Sequence, residues 1–336
     1  MCQLCFPLGA YNLFCVHFIV ASMAGLMAAN KRFLAFIVLA SFHLAALDGA
    51  LASSIRRSKS DRDIAAIGHR EIVPEQIRKF VGTPEKEKER GDAVAVQIKH
   101  SNKLVQDPSI AGYIAGLAEN LAHNSDAHLP ITVMLLDSDE VNACTAPGGY
   151  QYLTRGLLLQ LESESELAAV LAHGIAHSAL HTPTVQFLRR DFMQSSSGFS
   201  AAKLSFMWLT CTSSALSIFD GARPADEFNA DYFGAQYLYK SGYDVDGYIR
   251  FVQRVWPDPP ASTKTLVLSL SQVPPVSQRS KALRHEIADI LPLRSEATVS
   301  TSAFENFEER LRLWQKLHPA PPVPTRPILH RADQHD

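Results

Sequence analysis

A chain of 336 residues, 46% hydrophobic and 20% charged, carries enough apolar side chain to bury a core and is not a disordered polyelectrolyte. Its formal net charge is -2, and its one dense basic run, Arg56-Arg57-Ser58-Lys59-Ser60-Asp61-Arg62, is short and mixed with acid and serine. The electrostatic footprint of a nucleic-acid binder is missing, so nucleic acid is excluded as a partner.

The first 52 residues differ from the rest. Lys31-Arg32 precede an apolar stretch from Phe33 to Leu47, and Ala50-Leu51-Ala52 supplies small residues where a signal peptidase cuts. This order predicts secretion. A second apolar stretch, Leu13 to Met27, is more than a signal peptide needs, which places the true start at Met27 or Met23 or makes the leader an uncleaved membrane anchor or a hairpin of two spans. Three of the five cysteines, Cys2, Cys5 and Cys15, fall in this leader. Cys144 and Cys211 remain, too few for a disulfide framework, and read as small buried hydrophobes that an oxidising compartment could pair.

From Ser53 to about Gly91 the text is polar and charged, ending in Pro84-Glu85-Lys86-Glu87-Lys88-Glu89-Arg90, and predicts a linker with an exposed helix. After Pro108, Ile110, Tyr113, Ile114, Leu117 and Leu121 fall at helical spacing and form one apolar stripe. Ile131 to Leu136 and Tyr150 to Leu153 read as short strands, joined by a loop that ends in Pro147-Gly148-Gly149, on its own a tight turn. Ser163-Glu164-Ser165-Glu166 opens a further helix with acids where the dipole favours them, and Leu167, Val170, Leu171 and Ile175 carry its apolar face until Pro183. Leu204 to Ile218 is apolar enough for a buried helix, and Glu227 to Tyr239 predicts another, closed by Ser241-Gly242-Tyr243-Asp244. Near the end Ser302 and Glu305 make a capping-box pattern, and Phe304, Phe307, Leu311, Trp314 and Leu317 make a stripe. Pro319 to Asp336 is a proline-rich tail, and there is no internal repeat.

His173 and His177 in Leu171-Ala172-His173-Gly174-Ile175-Ala176-His177 stand at i and i+4 of the predicted helix, a spacing that lets both rings reach one ion from neighbouring turns and that, taken alone, more often belongs to surface or core histidines. Zinc needs a third protein ligand and leaves its fourth position open. Glu227 is the candidate, because Asp231 follows four residues later, where it can hold a ligating histidine by its other nitrogen. His181, at i+8, is rotated by roughly 80° from His173 on a 3.6-residue turn and reads as a helix-end histidine.

Several separated motifs resemble one family. Asn142-Ala143-Cys144-Thr145-Ala146-Pro147-Gly148-Gly149-Tyr150, Thr154-Arg155-Gly156-Leu157, Glu166-Leu167-Ala168-Ala169-Val170-Leu171-Ala172-His173, and Glu227-x-x-Ala230-Asp231 with Ser241-Gly242-Tyr243-Asp244 resemble the HtpX/BepA-type zinc metallopeptidases. These are gluzincins of bacterial membranes and the periplasm, and the likeness runs from about Val94 to Leu283. It implies an α+β fold: a mostly helical zincin-like domain with a small β-sheet flanking the active-site helix. It implies one zinc ion on His173, His177 and Glu227, with Asp231 behind them. It also implies an edge formed by Asn142, Ala143, Pro147, Gly148, Gly149 and Tyr150 along which an extended polypeptide lies, as an open strand edge permits.

The chain departs from the family in three places. Gly174 replaces the glutamate that takes a proton from the water nucleophile and returns it to the leaving amine. Loss of such assistance removes about 10²–10⁴-fold in rate, roughly 3–5 kcal/mol of barrier. Val273 stands where relatives carry a histidine ahead of Pro274-Pro275, although Arg279 matches and keeps a transition-state or structural role open. The short helix around Trp314 is expected to take the place of the repeat domain that some relatives add.

The expected organisation is a leader over 1–52, a linker and exposed helix over 53–91, a metallopeptidase-like domain over 92–290, and a C-terminal helix with its tail over 291–336. The resemblance implies a zinc metalloendopeptidase of the cell envelope acting on unfolded or misassembled envelope proteins. It would be periplasmic or secreted after leader cleavage, or held at the inner membrane by the leader. Gly174 implies impaired hydrolysis, with another carboxylate such as Glu166 acting as a poor base through relayed water. The alternative is an inactive pseudo-peptidase that binds extended or unfolded chains as a chaperone or adaptor. A third reading keeps the fold and binds no metal.

Overall fold

The computed structural model describes residues 60–196, 223–258 and 274–319. The leader, the predicted helix Leu204 to Ile218, Cys211, Val273 and the proline-rich tail lie outside the described residues. Among the described residues no helix is long and apolar enough to cross a membrane.

Three helices open the domain: α1 (Glu75–Val81), α2 (Pro84–Ser101) and α3 (Pro108–His123). Local chemistry starts the last two in the same way, with proline in the first turn and a side-chain cap before it. The Thr83 hydroxyl accepts from the Lys86 amide, and the Asp107 carboxylate accepts from Ser109 and Ile110. The charged run expected to form an exposed helix is the start of α2, and only its outward residues are exposed. Glu87, Gly91, Val94, Ala95 and Ile98 recur at helical spacing and are buried, so the helix belongs to the core. The described part of the expected linker is held in as well. Arg70 is 4% exposed, pairs with Asp126 at 2.5 Å and donates to Gln236 at 2.8 Å, while Tyr237 donates to Asp126 at 3.0 Å.

A mixed sheet follows, made of β1 (Thr132–Leu136), β2 (Ala143–Ala146) and β3 (Tyr150–Thr154) in the order β1-β3-β2. β1 runs parallel to β3 and β2 antiparallel to it, with Gln151 opposite Val133 on one side and Thr145 on the other. β2 was not predicted: its four residues are too few and too small to show alternation. Side chains of β3 alternate between two layers. Tyr152 joins Val94, Ala95 and Ile98 of α2 in one apolar cluster, and Gln151 turns the other way. The turn Pro147–Gly149 presses on α2 so closely that a Cβ on Gly91 would collide with the Pro147 carbonyl oxygen.

The short α4 (Arg155–Leu158) leads to α5 (Glu164–Ala179), where Ser163 caps the Glu166 amide. Leu167, Ala168, Leu171, Ala172, Ile175 and Ala176 are fully buried, so α5 is enclosed on nearly every side. Pro183 does not end helical structure. The chain turns at His181, whose φ is +55°, and resumes as α6 (Thr182–Ser196) with Pro183 in its first turn, where a missing N–H costs nothing. His181 Nδ1 lies 2.9 Å from the buried Glu87 carboxylate, which also accepts from Thr184, so this histidine ties the turn to α2.

α7 (Pro224–Lys240) packs along α5 more extensively than any other two of the described elements pack together. Two further helices, α8 (Asp246–Val255) and α9 (Val276–Ile290), lie against these two, and α10 (Ser302–Leu317) lies on α3. α10 begins one residue earlier than its sequence pattern indicated: Thr301, not Ser302, caps the Phe304 amide. Phe304, Phe307 and Leu311 of its predicted stripe are buried, whereas Leu317 is 67% exposed. The architecture is α+β, mostly helical, with the small sheet laid beside α5.

Candidate metal centre

His173 and His177 project from one face of α5 a turn apart, with Nε2 atoms 3.1 Å from each other and rings edge-to-face at 4.7 Å. Glu227, in the first turn of α7, brings one carboxylate oxygen to 3.6 Å from His173 Nε2 and the other to 3.5 Å from His177 Nε2. One donor atom from each residue falls within 4.8 Å of the others. The approach of α7 depends on Gly234, two turns beyond Glu227, where a Cβ would stand 3.1 Å from the His173 Cα.

The donor set and its spacing fit zinc. Bonds of about 2.0–2.1 Å at tetrahedral angles put neighbouring ligand atoms about 3.3–3.4 Å apart. The two Nε2 atoms stand 3.1 Å apart, and each has a different Glu227 oxygen at 3.5 or 3.6 Å, so the carboxylate straddles the pair and one trio of donor atoms closes to within 4.8 Å.

Asp231, one turn along α7 from Glu227, sets Oδ1 at 3.1 Å from His173 Nδ1. The imidazole donates its Nδ1 proton to this carboxylate, which leaves the Nε2 lone pair facing the other two donors. Arg279, brought by α9, forks onto Asp231 at 2.8 and 2.6 Å and reaches Glu227 Oε2 at 3.0 Å. Tyr248 of α8 donates its hydroxyl to Asp231 Oδ1 at 2.8 Å and accepts from Arg279 Nη2 at 3.0 Å.

Charge explains how these groups coexist. Burial disfavours ionised Glu227, but Arg279 and the two histidines outweigh it and hold its carboxyl well below the usual range. Asp231 is lowered in the same way, with Arg279 as the largest opposing influence on burial. Burial also opposes a charged His173, yet hydrogen bonds to Asp231 and Glu227 raise its pKa above the ordinary value.

Gly174 stands between the two histidines with no side chain, at a helix-interior position where glycine costs about 1 kcal/mol relative to alanine. A Cβ there would lie 2.8 Å from the side-chain carbonyl carbon and oxygen of Gln151 and 2.9 Å from its nitrogen. Gln151 is 2% exposed and donates to the Leu171 carbonyl at 3.3 Å.

Glu166 is not available to the site as a substitute base. It lies about two turns before His173 on α5, 3% exposed, clamped by Arg254 at 2.8 and 2.7 Å. Of the expected polypeptide edge, Ala143 opens β2, which among the described residues pairs with β3 alone, and Pro147, Gly148 and Gly149 form the turn between them. Asn142 and Thr154 bond each other's backbone at the end of that ladder, and the Tyr150 hydroxyl donates to Asp92 at 2.6 Å. Cys144, on the same strand, is disulfide-bonded and is therefore not the free buried thiol expected of it.

Sequence reasoning did not find Tyr248 or Gln151. Tyr248 lies in an unpredicted helix with no spacing relation to the histidines. Gln151 had one faint signal, a polar residue in the middle of a short strand otherwise reading Tyr-x-Tyr-Leu.

Comparison with known proteins agrees with this geometry. The description "Peptidase family M48" matches residues 108–287, more than half of the chain. The chain is 29% identical over 178 residues to the "Putative beta-barrel assembly-enhancing protease" of Vibrio cholerae, covering 49% of this chain and 37% of that protein. It is 35% identical over 92 residues to the beta-barrel assembly-enhancing protease of Escherichia coli, covering 27% and 19%. The protein of that name from Yersinia pestis is 36% identical over 88 residues, covering 26% and 18%. The chain thus spans well under half the length of these curated relatives.

Proposed function

This chain belongs to peptidase family M48, and from that premise we propose that it is a cell-envelope protein of metallopeptidase type whose hydrolytic step is severely impaired. His173, His177 and Glu227 hold one zinc ion. The observation that carries this reading is a His-His-Glu trio whose donor atoms close to within 4.8 Å of one another, beside a position that bears no side chain.

A bound zinc ion supplies Lewis acidity toward a peptide carbonyl. The protein's own groups prepare for it. Asp231 fixes the His173 tautomer, and Arg279 has a structural role, compensating two buried carboxylates that would otherwise repel each other. What the site lacks is a proton acceptor at Gly174. Gln151 fills that space with an amide, which stays neutral near pH 7 and cannot take a proton from a nucleophile. Loss of that step would cost about 10²–10⁴-fold in rate.

The edge strand β2 supports an extended, unfolded or misassembled polypeptide as the bound partner, since its outer backbone groups can pair with a substrate main chain. The curated relatives, named for β-barrel assembly, support an envelope setting for such chains. The leader supports delivery to the periplasm or secretion after cleavage, or anchoring at the inner membrane. The amide at Gly174 also favours a second reading, a pseudo-peptidase that binds unfolded chains without cutting them, as a chaperone or adaptor.

Metal analysis of the purified protein tests the foundation. About one zinc per chain, removable by chelator and absent in His177→Ala, is expected. A protein that retains no zinc overturns the proposal. Incubation with denatured casein, alongside peptide-binding anisotropy, separates the two readings: binding with no zinc-dependent cleavage gives the pseudo-peptidase, and slow chelator-sensitive cleavage gives the impaired enzyme.

A further inference from the structure

We infer that Gln151 and Gly174 are a matched pair, in which the Gln151 amide occupies the space of the missing general base so that glutamate at 174 is excluded while Gln151 stays in place. This rests on the proposed reading of the site and names what holds the base out.

Three observations converge on the pair. First, the amide carbon, oxygen and nitrogen of Gln151 all lie within 2.9 Å of where a Cβ on residue 174 would be, closer than real Cβ contacts allow. Even alanine meets that obstacle. Second, Gln151 has little freedom to give way. It is 2% exposed, its strand is paired on both sides at Val133 and Thr145, and its amide is tied to the Leu171 carbonyl at 3.3 Å. A buried amide that swings away loses this partner and must find another. Third, glycine in the interior of this helix is less favourable than any of the helix's other residue types, so it works against local propensity. The amide explains why glycine stands there: the sheet layer fills the space that a longer side chain on the helix would take.

The pairing runs through strand parity. Tyr150, Gln151 and Tyr152 alternate across β3, and only Gln151 of the three faces α5. A change at 151 therefore reaches the metal-bearing helix directly, although 23 residues separate it from Gly174 in sequence.

The prediction is a reversal of sign. In the wild-type background Gly174→Ala and Gly174→Glu lower the thermal midpoint of the full chain by several degrees. In the Gln151→Ala background Gly174→Ala raises the midpoint, and Gly174→Glu recovers most of what Gln151→Ala alone loses, because glutamate with alanine nearly conserves the volume of glycine with glutamine. Additive shifts, or a Gly174→Ala that stabilises the wild-type chain, overturn the pairing.

Cleavage of denatured casein by the same zinc-loaded variants supplies a second readout that packing alone would not move. The Gln151→Ala/Gly174→Glu chain is expected to cut at least ten-fold faster than Gly174→Glu alone. Equal and measurable rates for the two overturn the claim that Gln151 holds the base out. A double variant that is stable and zinc-loaded yet inert leaves the packing pair standing and refutes the reading that the missing base silences the site.

Discussion

Replacing Arg279 by methionine removes a buried cation that touches both carboxylates of the metal centre while keeping most of its aliphatic stem. Arg279, Glu227 and Asp231 have side chains 13%, 12% and 3% exposed, so little water can take over the lost contacts. Breaking a buried ion pair by removing one partner costs about 3–5 kcal/mol, and here two carboxylates lose the same partner. In metal-free protein that corresponds to a fall of about 6–20 °C in Tm, at about 2–4 °C per kcal/mol for a domain of this size. Zinc changes the balance. Its charge compensates Glu227 directly and leaves only Asp231 short of a cation, and Tyr248 and His173 still donate to Asp231. The zinc-loaded variant should therefore lose distinctly less than the chelated one. Thermal unfolding of wild type and Arg279→Met, each with saturating zinc and with chelator, measures both losses. A loss under about 1 kcal/mol in the chelated protein, the range of an exposed pair, or equal losses in both states would refute the assigned role of this arginine.

Tyr248→Phe deletes a buried hydroxyl that donates to a charged acceptor, a change of about 1.5–3 kcal/mol, and should weaken zinc binding by roughly ten-fold in a chelator competition. Gly91→Ala places a Cβ against the Pro147 carbonyl, where backbone on both sides resists movement. It should destabilise by about 2–3 kcal/mol in denaturant unfolding, despite the better helix propensity of alanine. The pH response follows from His173, whose folded pKa lies above its ordinary 6.5. Its protonation contributes stability that is fully present below that value and is lost as pH rises through the folded pKa. Metal-free protein should therefore lose stability over that window, while zinc affinity rises because the ligand must be deprotonated. Unfolding midpoints and zinc titrations between about pH 5 and 8 check both directions.

Much of the scaffold was legible because its signals are local. The stripe after Pro108, the acids after Ser163 and the Phe304-Phe307-Leu311 spacing each identify a helix from within its own length. Errors arose where a single residue admits two structural meanings. Pro183 forbids continuation of α5 and also suits the first turn of a new helix, and only the reversal at His181 decides between these. The charged run from Pro84 looked like a solvated face because charge dominates its composition. Its buried positions appear only when Glu87, Gly91, Val94 and Ile98 are followed together into the apolar continuation of the helix.

The metal centre was legible in the same uneven way, and the reason is physical. Two histidines a turn apart announce themselves because one helix fixes their geometry, whatever the rest of the chain does. Glu227 stands 50 residues beyond His177, and it was legible from Asp231 four residues later together with the family resemblance, since no periodicity connects α5 with α7. Arg279 and Tyr248 are more remote still: Tyr248 serves the centre through Asp231, Arg279 through both Asp231 and Glu227, and neither makes a spacing pattern with the histidines. The same limit applies to the glycine at the centre. From sequence Gly174 is a deletion, a helix position stripped of its carboxylate, and the natural remedy is to put the carboxylate back. In three dimensions the space is already taken by the Gln151 amide, delivered from a strand by the parity of its pleat. A single reversion then tests two things at once, chemistry and packing. An inert Gly174→Glu protein would say nothing about zinc catalysis until Gln151 had been cut back as well.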